Sequence, residues 1–171
     1  DIGAGAGLFL HLLRERGAEV HGMEPTWARR AYAKEHYDLD LVPEAFDAPH
    51  WWKGPPDTFD VITMWDVIEH VNFPIQTLEA AMSLLAPGGV LMLDTPARNG
   101  FYHRAGEATY KLTGGRKAGF LGMLYSNYMF GHKQIFHSNE LRRFATDRGH
   151  EVVFCDLVHE LSRPYAHYLK I

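Results

Sequence analysis

The chain has 171 residues, 46% apolar and 22% charged, with a formal net charge of −4. This is the composition of one globular domain with a real core, and it gives no electrostatic case for nucleic acid or an anionic membrane surface. The single cysteine, Cys155, excludes an internal disulfide and fits a reducing, cytoplasmic setting. No apolar run of about 18 residues predicts a membrane span, and no signal peptide is expected from the opening residues.

The chain opens on Asp1-Ile2-Gly3-Ala4-Gly5-Ala6-Gly7, an acid followed by glycine at alternate positions and then an apolar run from Leu8. That order predicts a strand end turning tightly into a helix. Glycine there permits positive φ and lets a ligand approach the main chain with no Cβ in the way. The free N–H groups of the helix start favour electron-rich ligand groups. The dinucleotide pattern Gly-x-Gly-x-x-Gly is absent, because it requires glycine where Leu8 stands. A chain that starts at this turn lacks most of its first strand, so N-terminal truncation is expected.

Leu8, Phe9, Leu12 and Leu13 recur at helical spacing, and Gly17 is placed to close that helix. Ala18–Glu24 reads as a second strand ending on a carboxylate. Thr26 is the expected N-cap of a helix running to about Glu35. Leu39–Val42 is expected as a third strand, and Pro43–Thr58 as a proline-rich loop. Phe59–Trp65 reads as a buried fourth strand, apolar and β-branched between turn residues. Pro74–Leu85 is predicted helical, with Leu78, Met82 and Leu85 on one face. Ala86-Pro87-Gly88-Gly89 breaks it before a fifth strand, Val90–Asp94. Residues 97–136 are rich in glycine and aromatics and are expected to form a helical cap. Ser138 is the expected N-cap of a helix bearing Leu141, Phe144 and Ala145 and stopped by Gly149. Val152–Cys155 is expected as a sixth strand, and Tyr168–Ile171 as the start of a seventh.

Strands alternating with helices imply an α/β domain, a doubly wound, mostly parallel sheet with helices on both faces. Such sheets bind ligands at the carboxyl ends of their strands, beside the switch point. The glycine turn, Glu24 and Trp65 all fall at such ends. Glu24 reads as an acceptor for ribose hydroxyls or as a helix-start acid favoured by the dipole.

The acidic-x-Gly-x-Gly-x-Gly opening resembles the first motif of the class I S-adenosylmethionine (SAM)-dependent methyltransferases. Asp60-Val61-Ile62 with Trp65-Asp66-Val67-Ile68-Glu69-His70-Val71 is similar to their fourth-strand motif. Leu84-Leu85-Ala86-Pro87-Gly88-Gly89-Val90-Leu91 is similar to their helix-to-fifth-strand motif, and Asp94-Thr95-Pro96 ends that strand as in many members. Gln134–Leu141 and Gly149–Val152 resemble the last helix and sixth strand. The resemblance thus covers the chain except residues 97–133, and is nearest to a small-molecule branch that includes ubiquinone-pathway O-methyltransferases.

The resemblance implies a Rossmann-like class I fold and SAM as cofactor. Asp1 would meet the ammonium end, directly or through water, or cap the following helix. Gly3, Gly5 and Gly7 would line the methionine part and Glu24 the ribose. Adenine would touch Glu44, Ala45 or Phe46, although the family's Asp-Ala pair is not clearly present. Trp65 would border the cofactor through its backbone, its indole being a core or lid aromatic. The reaction is in-line attack on the sulfonium methyl by a small-molecule or lipid-like acceptor, with His70 favoured over His132 and His137 as base. Asp66, Glu69 and His70 would share a face if their turn is helical and could hold a divalent ion, but a bracing role for Glu69 and His70 is preferred and no metal is expected.

The cap aromatics Tyr102, Tyr110, Phe120, Tyr125, Tyr128 and Phe130 read as an acceptor-lining lid or as the core of a helical hairpin. Gly114-Gly115-Arg116-Lys117 reads as an anion contact or an exposed turn. Two competing readings are a nucleotide-cofactor oxidoreductase and a catalytically idle SAM-binding domain of a larger assembly. The absent third glycine of the dinucleotide pattern opposes the first of these.

Overall fold

The structure is a computed structural model that describes residues 1–44, 58–125 and 131–158. It divides into two compact units, Asp1–Thr95 and Pro96–Ile171.

In the first unit, helix α1 (Leu8–Arg14) leaves the glycine turn, and α2 (Trp27–Tyr37) follows Glu24. Strand β1 (Phe59–Trp65) and β2 (Leu85–Asp94) flank α3 (Pro74–Met82) and pair in parallel. Single parallel bridges continue the sheet, from Met64 of β1 to Ile2, from Ile2 to Met23, and from Met23 to Val42. The lateral order is therefore Val42, Met23, Ile2, β1, β2. From Ile2 the chain first moves to one side of the sheet and later crosses to the other, which makes the Gly3–Gly7 turn the switch point.

The expected second and third strands are present only as those bridges. Backbone bonds still knit the ends together: Ile2 N–H donates to Thr63 O at 2.9 Å, Gly3 and Ala4 N–H both donate to Met23 O at 2.9 Å, and Glu24 N–H donates to Val42 O at 2.9 Å.

Leu10 is the buried residue of α1, whereas Leu8 and Leu12 of the helical-spacing set Leu8, Phe9, Leu12 and Leu13 are exposed. Leu10 packs with Ala4, Ala33 and Leu39, against partly buried Val20, Tyr37 and Leu41. Gly7 sits at φ 83°, and a Cβ there would meet Ala33 Cβ and Leu39 Cδ1, each at 3.0 Å. Glycine therefore permits both the turn and the approach of α2. The Arg14 guanidinium donates to the carbonyls of Tyr37 and Asp38, the terminal acceptors of α2.

β1 has the expected bounds, but only Ile62, Thr63 and Met64 are buried. β2 begins five residues before the expected Val90, because Leu85 pairs with Phe59 ahead of a bulge that puts Val61 opposite Val90. At Gly89 a Cβ would stand 2.9 Å from both Phe59 O and Ala86 O, so the bulge requires glycine.

In the second unit, α4 (Phe101–Leu112) and α5 (Phe120–Leu124) pack closely where Gly106 faces Leu121. His103 of α4 is buried, with Nε2 3.1 Å from Tyr125 Oη. Gly114 and Gly115 form an exposed left-handed turn. Helix α6 (Ser138–Thr146) is capped by His137, not by Ser138: Asn139 N–H donates to His137 Nδ1, and His137 N–H donates to the Glu140 carboxylate. Ser138 instead pairs with Asn99.

Val152–Cys155 is not a strand. Val153 and Phe154 are exposed, and no other described segment pairs with them. The expected start of a seventh strand lies outside the described residues. Among the described residues no helix is long and apolar enough to cross a membrane.

Candidate cofactor site

Three strand ends meet at the switch point of the first unit. Gly3, Gly5 and Gly7 have φ of 83°, 56° and 83°, a left-handed alternation that folds the loop back on itself before α1. Above Gly5 a Cβ would meet nothing within 4 Å, so the loop faces open space at that position.

Glu24 borders the loop and is 2% exposed. Gly5 N–H donates to its Oε2 at 3.0 Å, and Thr26 N–H donates to its Oε1 at 2.8 Å. Thr26 is the N-cap residue of α2, as expected, but its side chain makes no capping bond. The carboxylate of Glu24 thus joins the glycine loop to the start of α2. Each oxygen keeps a lone pair beyond the backbone N–H it accepts. The Arg29 guanidinium approaches Oε2 at 3.6 Å, and Arg30 donates to the main-chain carbonyls of Glu24 and Pro25.

Asp1 does not cap α1, whose N-cap is Gly7 without a side-chain bond. Its Oδ1 instead accepts from the Thr63 hydroxyl at 2.7 Å, which fixes the acid at the mouth of the loop. Trp65, at the end of β1, packs edge-on to Phe9 of α1 with centroids 5.8 Å apart. The glycine loop, Asp1, Glu24 and Trp65 are therefore brought together in one unit. Glu44 lies just past the Val42 bridge and has a buried Oε2 with no hydrogen-bond partner among the described residues. Ala45 and Phe46 lie outside the described residues.

The turn after β1 carries a second group of ionisable residues. Asp66 takes a left-handed conformation, φ 52°, and its N–H donates to Asp94 Oδ1 at 2.7 Å. Residues 68–70 form a turn and not a helix, so the helical face expected to align Asp66, Glu69 and His70 does not form. Glu69 is fully buried and accepts from the Thr95 hydroxyl at 3.0 Å, while its Oε1 has no hydrogen-bond partner among the described residues. Burial, aided by the nearby charges of Asp66 and Asp94, pushes its carboxyl up to about 7. Burial likewise raises Asp94. His70 is half-buried, with Nε2 3.8 Å from Glu69 Oε1. His137 is engaged as a helix cap.

Residues 1–154, which include this sheet, its glycine loop and the buried acid at the adjoining strand end, match the model of a methyltransferase domain family. The chain belongs to that family.

Among related methyltransferases, the ubiquinone biosynthesis O-methyltransferase of Aeromonas salmonicida is 34% identical over 103 residues, 58% of this chain and 43% of that protein. The protein of the same name from Saccharophagus degradans is 34% identical over 107 residues, with the same coverage. The chain thus spans less than half the length of these relatives. A SAM-dependent methyltransferase structure from Archaeoglobus fulgidus superposes with a TM-score of 0.63 at 15% identity, covering 99% of this chain and 73% of that one. Another from Thermotoga maritima gives 0.61 at 20% identity, covering 88% and 62%. The fold is that of the class I methyltransferases, for which SAM is the expected cofactor.

The sequence reading missed Thr63, Thr95, Arg29 and Arg30. Thr63 carried a signal, a hydroxyl in the mostly apolar second half of its strand, whereas no local pattern marks the two arginines.

Proposed function

We propose that this chain is the cofactor-binding part of a methyltransferase that moves the SAM methyl group to a hydroxyl of a small-molecule or lipid-like acceptor. The observation that carries the reading is the buried Glu24 carboxylate, held by Gly5 and Thr26 N–H beside open space over the loop. Its remaining lone pairs suit the two ribose hydroxyls. Gly3, Gly5 and Gly7 would line the methionine part, Asp1 would meet the ammonium group, and Trp65 would border the cofactor. The unpartnered Oε2 of Glu44 suits an amino group at the adenine end. When bound, SAM supplies an electrophilic methyl on a sulfonium.

The chain's own residues then have to hold the acceptor oxygen in line and take its proton. His70 follows the end of β1 and is assigned that proton. Residues 97–136 are assigned to the acceptor, as a cap carrying Tyr102, Tyr110 and Tyr125. The hydroxyl acceptor is supported by the relatives, which are named as O-methyltransferases.

The test is incubation of the purified protein with methyl-labelled SAM and a panel of phenolic and prenylated-phenol acceptors. Label should appear on oxygen, and His70→Ala should lower kcat by about 100-fold or more with cofactor affinity unchanged. Binding of S-adenosylhomocysteine without transfer to any acceptor would favour a cofactor-binding domain that does no chemistry.

A further inference from the structure

We infer that Arg30 is a positioning residue for ribose recognition: it holds the main chain of Glu24 so that the carboxylate is aimed before the cofactor arrives. The inference rests on the proposed ribose role of Glu24.

Glu24 stands where an extended segment turns into α2, and its main chain must be fixed for the side chain to point one way. Its N–H is taken by Val42 O at 2.9 Å. Its carbonyl, and that of Pro25, both accept from Arg30 Nη1 at 2.7 Å. A guanidinium donating to two successive carbonyls fixes the peptide planes on either side of the turn. The carboxylate of Glu24 then accepts from Gly5 and Thr26 N–H, so aim of the side chain and aim of the backbone are set by different donors.

Helix energetics give Arg30 no reason to be there. It lies in the first turn of α2, at the positive end of the dipole, and that turn holds no acid. A cation is disfavoured at this end of a helix. Its service to the Glu24–Pro25 carbonyls offsets that disadvantage. Arg29 differs: it approaches only the carboxylate, at 3.6 Å, and is 58% exposed. At 3.6 Å, beyond hydrogen-bond distance, this solvated guanidinium contributes little to holding the carboxylate.

The experiment compares S-adenosylhomocysteine with its 2′-deoxy and 3′-deoxy analogues by calorimetry. It uses the parent protein, Glu24→Gln, Arg30→Met, Arg30→Lys and Arg29→Ala. Arg30→Met keeps the aliphatic stem, Arg30→Lys restores a cationic donor, and thermal melts establish that each variant is folded. In the parent, removing a ribose hydroxyl should weaken binding by about 10- to 100-fold, the worth of a bond to a charged acceptor. In Arg30→Met that penalty should shrink to about threefold or less, with part of it recovered in Arg30→Lys and all of it kept in Arg29→Ala.

A purely structural role would lower affinity for all three ligands alike, and that outcome would overturn the inference. The full penalty surviving in folded Arg30→Met, while lost in Glu24→Gln, would overturn it and leave the ribose role of Glu24 standing. A parent protein that binds all three ligands equally would remove the ribose role itself, and the inference with it.

Discussion

Two buried glutamates in the first unit illustrate how differently a carboxylate can be kept in a protein interior. Glu24 is 2% exposed and has a backbone N–H on each oxygen, so burial is compensated by charge-assisted hydrogen bonds. Glu69 is 0% exposed, and the hydrogen bonds it accepts, from the Thr95 hydroxyl and the local backbone, do not offset its burial, while Asp66 and Asp94 add like charge. Its carboxyl is raised from the ordinary 4.5 to about 7, so between those values the folded chain holds a proton that the unfolded chain has released. Stability contributed by this group is therefore greatest at low pH, falls as pH rises through about 7, and is lost above it. The raised Asp94 acts in the same direction. The loss attached to Glu69 is about 3 kcal/mol in order of magnitude. Glu69→Gln should leave stability at pH 5 nearly unchanged and raise it at pH 8. Denaturant melts at both values would reveal this as a flattened pH profile. Profiles that run parallel in parent and variant would show that Glu69 does not titrate in this range.

At the scale of elements, the glycine loop separates structural from ligand-facing demands. Gly7 is enclosed by Ala33 and Leu39, whereas Gly5 has open space where its Cβ would be. Both residues are left-handed, so alanine at either costs about 1–2 kcal/mol in backbone strain. Gly7→Ala should cost more than that, through the α1–α2 contact, and lower the melting temperature by the larger amount. Gly5→Ala should stay folded but bind S-adenosylhomocysteine at least about tenfold more weakly, because the new methyl occupies the approach to the loop. Equal effects of the two variants on melting and binding would contradict this division. The glycine loop, β1 and α2 were legible in the sequence because each is specified locally, by turn residues, a β-branched apolar run or helical spacing. The second strand shrinks to a bridge and Val152–Cys155 to an unpaired segment because a strand exists only where a neighbour supplies its hydrogen bonds, which no local pattern records. The His137 cap was missed for a related reason: Ser138 is the better cap by type, but its hydroxyl is engaged with Asn99, distant in sequence.

At the scale of the molecule, the first unit brings the loop from one strand end, Glu24 from the next and Trp65 from β1 to a common edge because the chain reverses direction across the sheet at Ile2. The Gly3–Gly7 turn, Glu24 and Trp65 are legible as a set in the sequence because each falls at the carboxyl end of an expected strand, whereas Asp1 enters through the family resemblance. Arg30 could not be recognised that way, because it acts on carbonyls rather than through a motif. The account's central claim is that this edge binds the SAM nucleoside through Glu24. It is tested most directly by calorimetric titration of S-adenosylhomocysteine into the parent protein and Glu24→Ala, with a melt to confirm that the variant is folded. Binding in the parent that weakens by about 30-fold or more in the variant is the predicted result. Equal affinity in the two proteins, or no binding to a folded parent, would contradict it.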